Sequence, residues 1–190
     1  SRLFLFESVA LVLANFASAT LARPLWNSLA NYQRNRILVF LDPEVDPRGA
    51  GYQVIQSKVA IGSGEFWGQG FTLGAQKRLD FLPTQHTDFI FSVIGEELGF
   101  VGTTLAILLF GYVLTRLVRL AAVSDSSFAG LSLLGIFGAW LVHVLVNIGM
   151  TAGVVPVTGI PLPFVSYGGT FLVTSWLAVA LAVRLSHERI

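Results

Sequence analysis

Apolar residues in this chain collect into four long runs, separated by stretches rich in proline, glycine and charge. A helix needs about 20 mostly apolar residues to cross the hydrocarbon of a bilayer. Leu3 to Leu21 meets that length, interrupted by Glu7, Asn15 and small hydroxyl residues, and predicts a span over 3–22 whose polar groups face protein rather than lipid. Phe89 to Leu120 is longer, about 50 Å as one helix against roughly 30 Å of hydrocarbon. Part of the span predicted over 89–120 must therefore protrude. The excess is expected at its start, with Glu96 and Glu97 at the interface, Leu98 to Leu114 in lipid, and Gly95 or Gly99 bending the junction. Runs over 128–155 and 166–187 complete the set, joined by a proline- and glycine-rich loop at 156–165. The pattern predicts an all-α, polytopic helical membrane protein with four transmembrane helices.

Short-loop charge sets the direction of the spans. Arg116 and Arg119 close the second run and Arg184, His187 and Arg189 close the fourth, so both ends read as cytoplasmic under the positive-inside rule. The segment 23–88 then lies outside the cell; its own cations do not overturn the assignment, because long loops escape the rule. At about a third of the chain it is too long for a bare connector. Pro24 is placed to open a short helix with Leu25, Leu29 and Tyr32 on one face, and Tyr52, Ile55 and Val59 repeat the helical spacing. Both are predicted as interfacial amphipathic helices in an extracytoplasmic loop. Asp42-Pro43 to Arg48-Gly49 reads as a turn-rich link between them, and Gly62, Gly64, Gly68, Gly70 and Gly74 mark an irregular loop.

Composition agrees: 54% of residues are hydrophobic and 12% charged, with mean hydropathy +0.70. The net charge of +1 gives no global pull toward nucleic acid. Without cysteine the chain has no disulfide, thiolate metal site or thiol nucleophile. No glycine-rich loop ends in the Gly-Lys-Ser/Thr of a phosphate-binding P-loop. Ser1-Arg2 leads straight into an apolar run with no initiator methionine or signal peptide, which predicts a piece of a longer chain.

Candidate chemistry gathers at the mouth of the second span. Asp88 has two readings: a helix N-cap, or a carboxylate in partly desolvated surroundings suited to general-base work or to binding a divalent cation. His86 lies two residues away, so in an extended segment the two side chains point apart. Glu96 falls about 80° around and roughly 12 Å along an ideal helix from Asp88, within reach of one cleft. Lys58, Lys77, Arg78, Arg34 and Arg36 suit a pyrophosphate, or equally lipid headgroups. His143 and Asn147 share one face of the third span and are read as packing residues, an interhelical hydrogen bond being the common outcome for the asparagine. The stretch Pro156 to Gly169 breaks an apolar run, and irregular backbone at membrane depth must be buried or line a cavity; Tyr167 and Ser166 are its candidate ligand contacts.

Taken together, Tyr32-Gln-Arg, Leu41-Asp-Pro, Gln56-Ser-Lys58, Ala60-Ile-Gly-Ser-Gly64, His86-Thr-Asp-Phe-Ile-Phe91, Gly95-Glu-Glu-Leu-Gly99, Asn147-Ile-Gly-Met150 and Pro161-Leu-Pro-Phe-Val-Ser-Tyr-Gly-Gly169 resemble the SEDS family of RodA- and FtsW-like peptidoglycan glycosyltransferases. Leu41-Asp-Pro and Gln56-Ser-Lys58 are more similar to the elongation-type branch than to the division-type branch. The resemblance implies a longer helical fold of which this chain is the carboxy-terminal part, lying in the bacterial cytoplasmic membrane and in contact with membrane lipid. It implies polymerisation of lipid II at the outer face, release of undecaprenyl pyrophosphate, a divalent cation (Mg or Mn) as cofactor, and a class B penicillin-binding protein as partner. It places the family's essential loop aspartate on Asp88, catalytic or metal-binding; residue type and placement make Lys58, His86, Glu96, Ser166 and Tyr167 the candidate substrate contacts. The alternative is a transporter of the same lipid-linked precursor, which would put ionisable groups near the bilayer midplane. Two departures stand out: the family's Gly-Gly-Leu-x-Gly-Lys-Gly is here Gly64-Glu-Phe-Trp-Gly-Gln-Gly70, and its Gln-Ser-Gln is here Gln76-Lys-Arg78.

Overall fold

The structure, a computed structural model, describes residues 20, 22, 24, 26–47, 49–71, 87–124 and 126–187. Among them the regular elements are all helical: α1 (Asn31–Leu41), a single 3-10 turn (Pro43–Val45), α2 (Ala50–Ser63), α3 (Ile90–Ala122), α4 (Ser127–Ala152) and α5 (Gly169–His187). Three helices among the described residues are long and apolar enough to cross a membrane, within α3, α4 and α5. The chain is therefore part of a multi-pass helical membrane protein. The span predicted over 3–22 lies almost wholly outside the described residues.

α4 stops at Ala152 although its apolar run continues to Val155, because Gly153 turns left-handed at φ +71°. Its N–H and that of Val154 return to the carbonyls of Met150 and Gly149, the bond pattern of a Schellman cap. α3 is broken, as its length requires. Gly99 adopts φ +63°, ψ −158°, dividing a short segment that follows Asp88 from a membrane-length segment, Phe100 to Ala122, of about 34 Å.

The break is closed by a different part of the chain. In an unbroken helix, Phe100 and Val101 would donate to the carbonyls of Glu96 and Glu97. Here they donate to Glu65 and Phe66 (2.9 and 3.2 Å), and the two vacated carbonyls accept from Gln69 and Gly70 (2.9 and 3.1 Å). The loop after α2 thus replaces lost helical bonds one for one, satisfying groups that would otherwise be stranded in a buried site. Glycine makes the approach possible: a Cβ on Gly64 would overlap the Gly95 carbonyl, and one on Gly68 (φ +83°) would overlap the Glu97 carbonyl. Gln69 takes part through its peptide N–H, so the departure from the family's lysine leaves this bond intact.

One expectation about the loop segment changes. The first amphipathic helix does not run from Pro24 through Tyr32: the chain bends at Leu29, and α1 starts afresh after Ala30, whose extended backbone (ψ 153°) is fixed by its N–H donating to Gln33 Oε1. α2 forms where expected, but its packed face is Gly51, Val54, Ser57 and Ala60, while Ile55 and Val59 stay exposed. Small residues win the interior face because α2 must lie close against the 3-10 turn and α3; a Cβ on Gly51 would overlap the Pro43 carbonyl.

The packed interior has three parts. Leu114, Leu117, Leu133, Trp140, Ala182 and Leu185 join α3, α4 and α5 at membrane level. Phe91, Val144 and Leu162 lie nearer Asp88. Val54, Ala60, Phe89, Met150 and Val157 fasten α2 beneath the segment that carries Asp88.

Candidate functional site

Asp88 sits in the turn that leads into α3, half-buried. The residue that caps α3 is Phe89, with no side-chain cap hydrogen bond, and the Asp88 carboxylate makes no hydrogen bond among the described residues. The helix-cap reading of Asp88 therefore has no support in the geometry. The ring of Phe89 is fully buried, which fixes where α3 begins.

What holds Asp88 is its backbone. Asn147 Nδ2, on α4, donates to the Asp88 carbonyl at 2.9 Å and to the Ile160 carbonyl at 2.8 Å. Ser166 Oγ donates to the Thr87 carbonyl at 2.6 Å and accepts from the Leu162 N–H at 2.7 Å. His143 Nδ1 donates to the Pro161 carbonyl at 2.9 Å, which sets its tautomer, and its ring stacks on Phe171. His143 and Asn147 thus do share one face, as their spacing predicts, and both spend it on the loop after α4. That irregular loop is anchored to protein by its Thr158, Ile160 and Pro161 carbonyls, each of which accepts a side-chain hydrogen bond.

Over this base the carboxylate lies against Gly159, whose φ of +75° turns the loop; a Cβ there would be 3.2 Å from Asp88 Oδ2. Cations approach the same loop. Arg36 donates from Nη1 to the Thr158 carbonyl at 3.0 Å. The Lys58 ammonium lies beside Gly153, where a Cβ would overlap it, at the negative end of the α4 dipole. Ser57, the residue before Lys58, ties three helices by bonding Ser92 Oγ (2.6 Å) and the Thr151 carbonyl (2.8 Å).

The predicted contacts separate accordingly. Asp88 and Lys58 are placed around one loop, together with Arg36. Glu96 is fully buried beside the α3 break, and Ser166 is buried with its hydroxyl engaged by two backbone groups. Tyr167 is 81% exposed just before α5. His86, Lys77 and Arg78 lie outside the described residues. Sequence reasoning valued Ser166 for ligand contact and Asn147 for packing; their common task of holding Thr87 and Asp88 spans separations of 79 and 59 residues and has no local signal.

Below this site an apolar cavity of about 240 Å³ opens between α3, α4 and the loop, lined among others by Leu109, Val113, Trp140, Pro163 and Phe164. Phe164 holds the unfavourable φ of +64°, supported by edge-on packing against Trp140 and Trp176. Trp140 is two helical turns, about 10 Å, from Asn147.

A family model described as "Cell cycle protein", covering FtsW, RodA and SpoVE, matches residues 3–190. The chain belongs to this family. Among its relatives, the peptidoglycan glycosyltransferase MrdB of Escherichia coli K12 is 45% identical over 166 residues, 87% of this chain and 45% of its own. A probable peptidoglycan glycosyltransferase FtsW of Trichlorobacter lovleyi is also 45% identical, over 82% of this chain and 40% of its own. A solved chain from a study of "Structural coordination of polymerization and crosslinking by a peptidoglycan synthase complex" superposes with TM-score 0.69 at 36% identity, covering 94% of this chain and 50% of that one. The RodA of Thermus thermophilus superposes with TM-score 0.53 at 40% identity, covering 56% of this chain and 36% of that one. The chain spans about half the length of the family members it matches. The MrdB and FtsW relatives are equally identical to this chain, so identity does not separate the two branches.

Proposed function

We propose that the protein to which this chain belongs is a peptidoglycan glycosyltransferase that polymerises lipid II at the outer face of the bacterial cytoplasmic membrane, with Asp88 as its catalytic carboxylate. The observation that carries this is the division of labour at Asp88: its carbonyl is bound from α4 and that of Thr87 from the following loop, while its carboxylate is spared from capping and left half-exposed. Evenly strong is the polarity of the molecule. Asp88, Arg36 and Lys58 gather at one end, and Arg116, Arg119 and Arg184 end α3 and α5 at the other, which supports an extracytoplasmic site under the positive-inside rule.

In the proposed reaction an acceptor sugar hydroxyl attacks the anomeric carbon of the donor. A new C–O bond forms as the bond from that carbon to the lipid pyrophosphate breaks, and the hydroxyl proton passes to the Asp88 carboxylate. Lys58 and Arg36 supply positive charge toward the pyrophosphate, and the apolar cavity at Trp140 and Phe164 offers a wall for isoprenoid. Among the described residues no group of three or more His, Asp or Glu converges on a metal site. One carboxylate nevertheless fits a Mg or Mn ion bound mainly through substrate phosphates; Asp88 would hold such an ion, which would neutralise charge on the leaving pyrophosphate. Asp42, whose Oδ1 accepts from the Glu44 N–H to form the 3-10 turn, and Gln56-Ser57-Lys58 favour the elongation branch and a role in cell shape. A class B penicillin-binding transpeptidase is the proposed partner.

The test is glycan polymer formation from labelled lipid II by the full-length protein with its partner, comparing native protein with Asp88→Asn at matched melting behaviour. Loss of polymer in the variant alone is expected. Normal polymer from Asp88→Asn removes Asp88 from the mechanism, and lipid movement across vesicles without polymer replaces the enzyme with a transporter.

A further inference from the structure

The loop that closes the α3 break carries an aromatic cluster. Phe66 stacks on Phe100 at 5.8 Å, and Trp67 packs edge-on against Phe66 at 5.2 Å. All three are exposed, Trp67 by 78%. Large rings on a loop tip are normally held loosely, but here the backbone beneath them is pinned by the four exchanged hydrogen bonds between 65–70 and 96–101. The rings therefore keep a fixed depth relative to the membrane-length part of α3.

That depth can be read from α3 itself. Phe100 opens the membrane-length segment, and Arg116 and Arg119 lie near its other end. The rise from Phe100 to these arginines is about 24–28 Å, close to the roughly 30 Å of hydrocarbon. With the arginines at one boundary, the ring cluster falls at the other, where tryptophan is enriched because its ring is apolar and its N–H seeks water. From the cluster an apolar groove of about 290 Å³ runs down α3, lined by Phe66, Phe100, Val101, Thr104, Leu105 and Leu108. It is continuous with the exposed apolar flank of a membrane-crossing helix.

We propose that the Glu65–Gly70 loop is a rigid foot in the outer leaflet, with Trp67 at the glycerol level of the phospholipids and the upper part of an acyl chain in the groove below Phe66 and Phe100. The occupant is bilayer phospholipid. The rings hold the depth of the break in α3, and with it the depth of the segment leading back to Asp88. The inference does not depend on the chemistry assigned to Asp88.

The test uses the full-length protein, with Trp67 as its sole tryptophan, reconstituted in phosphatidylcholine vesicles brominated near the glycerol backbone or near the methyl end. The expected result is a blue-shifted emission that shallow bromines reduce about twofold and deep ones far less, as for an interfacial tryptophan. Emission untouched by either lipid overturns the proposal, whether aqueous acrylamide quenches it, which would place the ring in water, or fails to, which would place it under protein. Where removing the other tryptophans prevents folding, Trp67→Cys labelled with an environment-sensitive bimane gives the same readout, in a full-length protein whose other cysteines, if it carries any outside this cysteine-free chain, are replaced by serine.

Discussion

At the end of the molecule that carries Asp88, specific polar contacts decide the structure: Asn147 and Ser166 hold one turn, Ser57 joins three helices, and a glycine loop trades backbone bonds with a broken helix. At membrane level, α3, α4 and α5 meet instead through Leu114, Leu117, Leu133, Trp140 and Leu185, with exposed leucines and valines on their outer faces. The difference follows from the solvent. Lipid competes for apolar surface as well as another helix does, so helix packing there gains little beyond van der Waals contact. Irregular backbone near the interface must satisfy every N–H and carbonyl by name. Precision is concentrated where the backbone is irregular, and that is where the proposed chemistry lies.

The comparison breaks most visibly at the glycines. Gly64→Val would drive a side chain into the Gly95 carbonyl, and a loss of more than about 4 kcal/mol is expected, an effect reserved for buried clashes. Its signature is failure of the full-length protein to elute as a single folded species in detergent. Asn147→Leu comes next. It strands the Asp88 and Ile160 carbonyls, at a cost of about 1–3 kcal/mol for two part-buried acceptors, and lipid II polymerisation should fall further than the melting temperature alone explains. If polymerisation is unchanged, the bond to Asp88 does not matter for function.

Ser57→Ala removes a buried hydroxyl bonded to Ser92 and Thr151; about 1–3 kcal/mol is expected, measured by thermal unfolding. Leu133→Ala, in the membrane-level cluster, should cost only about 1–2 kcal/mol, below the range for soluble cores, because lipid supplies no water-exclusion term. A larger loss than that of Ser57→Ala would reverse the proposed contrast. Leu131→Ala, 70% exposed on α4, should stay within about 0.5 kcal/mol.

Parts of this were legible from residue order. A run too long for the bilayer required a bend in α3, and two glycines marked its place; Gly99 carries it. Asp88 stands out at a span mouth, where its spacing fits a helix cap as well as a functional carboxylate. The packed face of α2 was not legible, because Ile55 and Val59 repeat a helical period more loudly than Gly51, Ser57 and Ala60. Hydropathy ranks residues by water avoidance, whereas a helix that must approach a neighbouring backbone selects small side chains. Ser166 was taken for a ligand contact because a serine in an interrupted span offers a hydroxyl either to a ligand or to the chain, and only Thr87, 79 residues away, decides between them.

The sequence by itself determined three membrane-crossing helices among the described residues, the bend point in α3 and the family, because each depends on local composition, glycine placement or ordered motifs. Tertiary structure decided which side chains are spent on holding the site and which remain for chemistry. Hydrogen-bond partners in irregular backbone lie tens of residues apart, and a carbonyl stranded in one segment is satisfied by whatever N–H the fold brings beside it. Asp88 is left half-exposed because Asn147 and Ser166 bind the backbone around it, and that pairing exists only once α4 and its loop have closed over the start of α3.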